Sequence, residues 1–352
     1  MSLGARVATV AATLTLGCSD PTPPRLVDRS DAVAARDATD DVADRALVDV
    51  GPERPALPMY EVLRLNAGRN EFPEGVAARQ GSGYVALGAL GRVLEVSPDG
   101  AYRAYADVPT GGTVHGLAFD GAGRLLLVAV SPRPGESGLW RAAAGGGPAA
   151  FIAGASGYTG PGAVAVDRGG GVWLTDSAQG SIWRLAPDGR SLTRWSSDPL
   201  LAGGAVVCGP AQTVRTGANG IVVDLAASAV FVTNTDRATL VRVPIAADGS
   251  ALAAVVISPR DCPRLAGPWG LAAGPAGSLV VAAGAVDQLT LATSAGVLTA
   301  VSVPEGLLRS PAGVAFDAES GALWVANSAY AAAVRPGGVA LPGVVRVPLR
   351  AP

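Results

Sequence analysis

Six short segments of the chain end alike, and the residues ahead of them decide what chemistry is available. The segments GVAAR, GLAFD, AVAVD, GIVVD, GLAAG and GVAFD close at Arg79, Asp120, Asp167, Asp224, Gly274 and Asp317, at intervals of 41 to 57 residues. Ahead of them stand Glu74, His115, Pro161, Asn219, Trp269 and Ala312. A carboxylate and a carboxamide oxygen are hard donors suited to Ca²⁺ or a similar divalent cation, and a bound cation polarises a carbonyl and acidifies water. Glu74 and Asn219 carry donors of this kind, although a solvated loop carboxylate and a turn former before Gly220 would look the same. His115, the one histidine of the chain, is a candidate proton carrier or hydrogen-bonding group in a ligand pocket. A single histidine excludes multi-histidine zinc sites. Trp269 reads either as a pocket wall for a sugar-like or apolar ligand or as a plug. Asp176, Asn234, Asp236 and Asn327 stand in a second set of loops and complete the list of pocket candidates.

These residues need a scaffold that repeats. The interval matches the period of four-stranded propeller blades, and six starts predict six blades. The segment after Pro161 shows the pattern best: AVAVD, VWLTDS, SIWRLA and SLTRWSS read as four strands separated by Gly-rich and Pro-Asp-Gly turns. The last unit supplies only three strands, GVAFD, ALWVAN and GVVRVPLR. The fourth is expected from Tyr60 to Leu65, pairing with Gly343 to Arg350 and closing the ring so that only short edges remain. Antiparallel succession puts the loop before each first strand and the loop after each second strand on one face, around the axis. With 352 residues, 47 of them glycine, and 49% hydrophobic content, the chain reads as all-β, a six-bladed β-propeller over 57–352. The strand-closing aspartates are expected to bond turn amides, and Trp140, Trp173, Trp183, Trp195 and Trp324 to pack between blades.

Phe72-Pro-Glu74-Gly75, Ala218-Asn219-Gly220-Ile221 and the run VFVTNTDRATLVRVPI after Ala229 resemble the gluconolactonase and senescence-marker-protein (regucalcin-like) family of six-bladed propellers. The resemblance extends from about Leu57 to Arg350. It implies that Glu74 and Asn219 hold a divalent cation, Ca²⁺ foremost, that assists water attack on a lactone. Two positions depart from the family pattern. Pro268-Trp269-Gly270 stands where the family has Pro-Asp-Gly, removing a metal ligand and the presumed base, and Val114-His115-Gly116 stands where it has Asn-Asp-Gly. Two functions follow: a metal-dependent lactonase or esterase-type hydrolase with its base unassigned, or a non-catalytic propeller, NHL-like in the extreme, that binds a small molecule or a protein partner.

The N-terminus is organised differently. Val7 to Leu16 is a short apolar run after Arg6 ending at Gly17-Cys18, which resembles a lipoprotein signal and is too short to span a bilayer. Residues 1–18 are expected to be a leader, with Cys18 the lipidated residue of an exported protein anchored in a bacterial cell envelope. Residues 19–56 carry eight Asp, five Pro and no aromatic residue, which predicts a disordered tether. Membrane contact is expected only through that lipid anchor. In such an oxidising compartment Cys208 and Cys262 are expected to form a disulfide between two loops beside the pocket. All 27 basic residues are scattered arginines and the net charge is −2, so no nucleic-acid partner is expected.

Overall fold

The computed structural model describes residues 61–349 except 110, 209–213, 225, 227, 259 and 334–336. The expected leader, Cys18 and the tether lie outside the described residues.

The described chain folds as an all-β propeller. Strands β1 (Glu61–Arg64), β2 (Pro73–Arg79), β3 (Ser82–Leu87), β4 (Arg92–Val96), β5 (Tyr102–Asp107), β6 (Thr113–Phe119), β7 (Leu125–Val130), β8 (Gly138–Ala143) and β9 (Gly146–Ala153) come first. Next are β10 (Pro161–Val166), β11 (Val172–Asp176), β12 (Ser181–Leu185), β13 (Leu192–Ser196), β14 (Ala218–Val223), β15 (Ala229–Asn234), β16 (Thr239–Pro244) and β17 (Val255–Ser258). Last come β18 (Pro268–Ala273), β19 (Leu279–Ala283), β20 (Gln288–Ala292), β21 (Leu298–Ala300), β22 (Pro311–Asp317), β23 (Ala322–Asn327) and β24 (Gly343–Pro348).

Three sheets are consecutive four-stranded meanders, β10 to β13, β14 to β17 and β18 to β21. A fourth has the order β1-β24-β23-β22, so the N-terminal strand completes the C-terminal sheet, with Glu61 opposite Val345 and Arg64 opposite Gly343. The remaining sheet has eight strands and departs from the expected independent blades. Two meanders, β2 to β5 and β6 to β9, join through a short parallel pairing of Ala106 with Gly147 and Asp107 with Pro148. Glycine permits this approach: a Cβ on Gly146, whose φ is +90°, would lie 2.3 Å from the Tyr105 carbonyl oxygen.

The first strands β2, β6, β10, β14, β18 and β22 touch one another in cyclic order, β22 returning to β2. The apolar core is divided accordingly, each cluster of buried side chains lying between two successive meanders. Strands β11, β15, β19 and β23 are buried along their whole length, because neighbouring sheets cover both faces. That is why VWLTD, AVFVTN, LVVAA and ALWVAN are rich in β-branched and aliphatic residues rather than strictly alternating. Aromatic residues pack in these interfaces. Trp173 meets Trp195 edge to face at 4.8 Å, and Trp324 is fully buried against Gly83, where any Cβ would strike its ring.

The turns follow local chemistry. Asp188 accepts from the amides of Arg190 and Ser191 while Gly189 takes φ +67°, as expected of an Asp-Gly hairpin turn. Asp120, Asp167 and Asp224 accept from the turn amides of Arg124, Gly171 and Ser228, and Asp317 accepts from that of Glu319.

Candidate functional site

Every first strand carries an irregularity at the same place. Pairing with the second strand slips between Pro73 and Val76, Val114 and Leu117, Pro161 and Val164, Ala218 and Ile221, Pro268 and Leu271, and Pro311 and Gly313. A bulge re-aims the side chain it contains. Here Glu74, His115, Gly162, Asn219, Trp269 and Ala312 all line one cavity of about 250 Å³. The register corrects one expectation: Pro161 is equivalent to Pro73, Ala218, Pro268 and Pro311, so Gly162 rather than Pro161 holds the ring position of β10.

The next residue is glycine in five of the six strands, for a steric reason. A Cβ on Gly75 would lie 1.9 Å from the His115 carbonyl oxygen, and one on Gly313 2.3 Å from that of Glu74. Adjacent backbones therefore nearly touch around the axis. Below them Val76, Leu117, Val164, Ile221, Leu271 and Val314 form an aliphatic floor.

Three threonines lock part of this ring. Thr233, fully buried, accepts from the Gly220 amide at 2.9 Å and donates to the Trp269 carbonyl at 2.9 Å. Thr175 does the same one sheet earlier, accepting from Ala163 N at 2.8 Å and donating to the Asn219 carbonyl at 2.5 Å. Thr235 donates to the Pro268 carbonyl at 2.8 Å and accepts from Asn219 Nδ2 at 3.1 Å. Its one proton is thereby used, which fixes the Asn219 amide with Nδ2 toward Thr235 and Oδ1 away.

Glu74 and His115, on neighbouring strands, form a pair: His115 Nδ1 donates to Glu74 Oε2 at 2.7 Å. Both keep contact with the cavity, 30% of the Glu74 and 29% of the His115 side-chain surface remaining exposed. The protein packed around the imidazole favours its neutral form. The hydrogen bond and negative charge of Glu74 outweigh that burial, and the His115 pKa is raised. Since a carboxylate only accepts, the neutral imidazole carries its proton on Nδ1 and leaves the Nε2 lone pair free.

The second set of loops does something else. Asp176, fully buried, accepts from the amides of Thr159, Gly160 and Gln179. Asp236 accepts from Gly204 and Thr216. Asn234 donates to the carbonyls of Leu200 and Ala202, and Asn327 donates to that of Leu307 and accepts from Arg309. None of the four lines the axial cavity; they tie the loops around it in place. Trp269 is 39% exposed and borders open volume, which makes it a wall, not a plug. Cys208 and Cys262 are joined in a disulfide that links two of the surrounding loops.

Glu74 and Asn219 supply two hard oxygen donors for a divalent cation, but the rest of a coordination shell is missing. One Glu74 oxygen already accepts from His115, and among the described residues no three His, Cys, Asp or Glu side chains gather to hold a metal. The donor set does not fit a resident ion. Sequence reasoning found Glu74 and His115 separately and missed that they pair. The signal was present, since both hold the same place in consecutive repeats.

No family model matches the chain, and no curated protein sequence does. Solved structures do. A gluconolactonase from Xanthomonas campestris is 19% identical, with TM-score 0.60 over 84% of this chain and 99% of that one. Regucalcin from Agrobacterium tumefaciens, described as a calcium-binding protein, is 16% identical with TM-score 0.56, covering 80% and 92%. A catalytically inactive histidine-to-alanine variant of virginiamycin B lyase from Staphylococcus aureus, solved with quinupristin, is 16% identical with TM-score 0.52, covering 81% and 98%. At these identities the likeness is one of fold, and the fold is that of the gluconolactonase-like and regucalcin-like β-propellers.

Proposed function

We propose that the chain is a six-bladed, lactonase-like propeller, the eight-stranded sheet counting as two blades, that binds a small lactone or related ester on its axis and hydrolyses it. The observation that carries this is the Glu74–His115 pair opening on the axial cavity. With its proton held on Nδ1 by Glu74, His115 takes a proton from water through Nε2 as the water attacks the substrate carbonyl. Glu74 then faces an imidazolium and stabilises its charge. The proton is returned to the departing alkoxide, opening the ring of a lactone or releasing the alcohol of an ester. Positioned general base catalysis of this kind contributes about 10²- to 10⁴-fold. Asn219, oriented by Thr235, lies on the strand opposite that of Glu74 in the cyclic order and holds the substrate across the ring. No step passes through a metal ion, because the donors present do not make its shell.

The gluconolactonase neighbour supports the lactone class, and the inactive histidine variant of the lyase is a precedent for a propeller that needs an imidazole. Export and lipid anchoring at Cys18 are part of the same proposal and would place the cavity outside the cytoplasm. The test is ester and lactone hydrolysis by the full chain, followed in a pH-stat. His115→Ala should lower kcat by at least about a hundredfold, and Glu74→Gln should lower it less. Unchanged turnover in His115→Ala would refute the assignment.

A further inference from the structure

The walls of the cavity say more about the ligand than its general class. Following the inner strands in order, His115 on β6 and Trp269 on β18 stand opposite each other, three strands apart in either direction. A ligand whose carbonyl reaches His115 therefore presents its far side to the indole. Trp269 is held for this contact: Thr233 bonds its own carbonyl and Thr235 that of Pro268. Beneath lies the aliphatic floor.

The polar inventory is short: besides Glu74, His115 and Asn219, only Ser177 and Thr216 among the described lining residues carry a hydroxyl. Among the described residues no arginine lines the cavity and the chain has no lysine, so an anionic ligand finds no cationic partner there beyond an imidazolium that Glu74 already neutralises. The Ser177 hydroxyl is buried without a partner and offers no exposed surface to a ligand. Part of the Asn219 amide is spent on Thr235. A polyhydroxylated sugar lactone brings several hydroxyls that must leave water, and each one left unpaired is penalised. The volume, about 250 Å³, lies below the range typical of drug-sized ligands, enough for one compact ring system.

We infer that the axial cavity selects a small, uncharged lactone or ester with one flat apolar face, which lies against Trp269, over polyhydroxylated sugar lactones. This rests on the axial cavity being the ligand site, as proposed above, and it can fail separately from hydrolysis. The probes are dihydrocoumarin and glucono-δ-lactone as substrates, and their unreactive lactams, dihydroquinolinone and gluconolactam, as ligands for calorimetry with the full chain. Dihydroquinolinone should bind saturably, and gluconolactam at least about tenfold more weakly. Trp269→Ala should weaken dihydroquinolinone about tenfold, with Trp269→Phe recovering most of the loss, as stacking on an aromatic face requires. Equal or tighter binding of gluconolactam, unchanged affinity in Trp269→Ala, or binding of neither lactam would overturn the inference. Lactam binding as expected without hydrolysis of dihydrocoumarin would refute the hydrolase instead and leave the selectivity standing. Equal hydrolysis of both lactones would do the reverse.

Discussion

Replacing Thr233 by valine removes one oxygen and tests how the ring is held. The side chain keeps its shape, so little cavity energy is involved, but two hydrogen bonds disappear. The Gly220 amide is buried in the inner strand and has no water to turn to; leaving it unpaired costs about 1–3 kcal/mol. The Trp269 carbonyl belongs to a partly exposed residue and recovers a water, so its loss is nearer the net value of a hydrogen bond, about 0.5–1.5 kcal/mol. Together the substitution should destabilise the protein by roughly 2–4 kcal/mol. Urea unfolding of the full chain, read as a midpoint change at constant slope, measures this. Thr233→Ser, which keeps the hydroxyl, should lose only about the 1 kcal/mol of a buried methyl. Thr175→Val should resemble Thr233→Val. The double variant should fall short of or exceed their sum, because both relays end on Asn219 and Gly220, adjacent residues of β14. A Thr233→Val loss below about 0.5 kcal/mol, the level of an ordinary surface change, would refute the idea that hydroxyl relays lock adjacent blades.

Other outcomes follow from the same geometry. Since the folded pKa of His115 is raised, the stability it contributes is fully present below its unfolded value of about 6.5 and is lost as pH rises through the raised value. A general base gains activity through that same limb, so kcat/KM and stability should change in opposite directions there, and Glu74→Gln should move the kinetic limb to lower pH. Activity that falls across the limb would contradict the base role. Calcium or magnesium should leave the melting temperature unchanged; a saturable rise, which a ligand of the folded state would cause, abolished by Glu74→Ala, would show that the ring does hold an ion. Opening the Cys208–Cys262 disulfide, with a sequence separation of 54, by a double serine substitution should cost up to about 4 kcal/mol on chain-entropy grounds, measurable by denaturant unfolding with the hydrolase activity of the folded fraction retained.

Much of the architecture is legible in the chain because it follows from repetition. Strand-closing Asp120, Asp167, Asp224 and Asp317 mark the units, and the orphan segment after Pro58 finds its partner in β24 because the last unit lacks a strand. The joining of β5 to β9 is not legible, since it depends on Gly146 and Gly147 in a hairpin whose position only the packed sheets determine. In the site, Glu74, His115, Asn219 and Trp269 can be placed on the axis from sequence, but not their partners. Asp176, Asn234 and Asn327 look like pocket residues because they recur at the ends of second strands. They recur there because at these three ends the loop folded over the strand presents amides or carbonyls to be satisfied, a backbone requirement that imitates a functional ring. Pro161 is one residue out of place by alignment alone: five residues before Asp167, as Glu74 is five before Arg79, stands Gly162, and the pairing of Pro161 with Asp176 and of Ala218 with Asn234 agrees.

The bulge explains how such a ring changes its chemistry without changing its fold. Its position is set by backbone pairing and by the close approach of Gly75, Gly116, Gly220, Gly270 and Gly313 to the neighbouring strand, none of which depends on the side chain one residue earlier. Glu, His, Gly, Asn, Trp and Ala all occupy that place here. A carboxylate there beside an amide offers oxygen donors; the same carboxylate beside an imidazole becomes the partner that fixes a tautomer. Gly75→Ala and Glu74→Gln should therefore fail in different ways. The alanine Cβ would meet the His115 carbonyl at 1.9 Å, forcing β2 and β6 apart and lowering stability and activity together. The glutamine should leave the unfolding midpoint within about 1 kcal/mol, the worth of a partly exposed ion pair, while lowering kcat. If Glu74→Gln destabilised the protein as much as Gly75→Ala, the pair would be part of the scaffold and not of the chemistry.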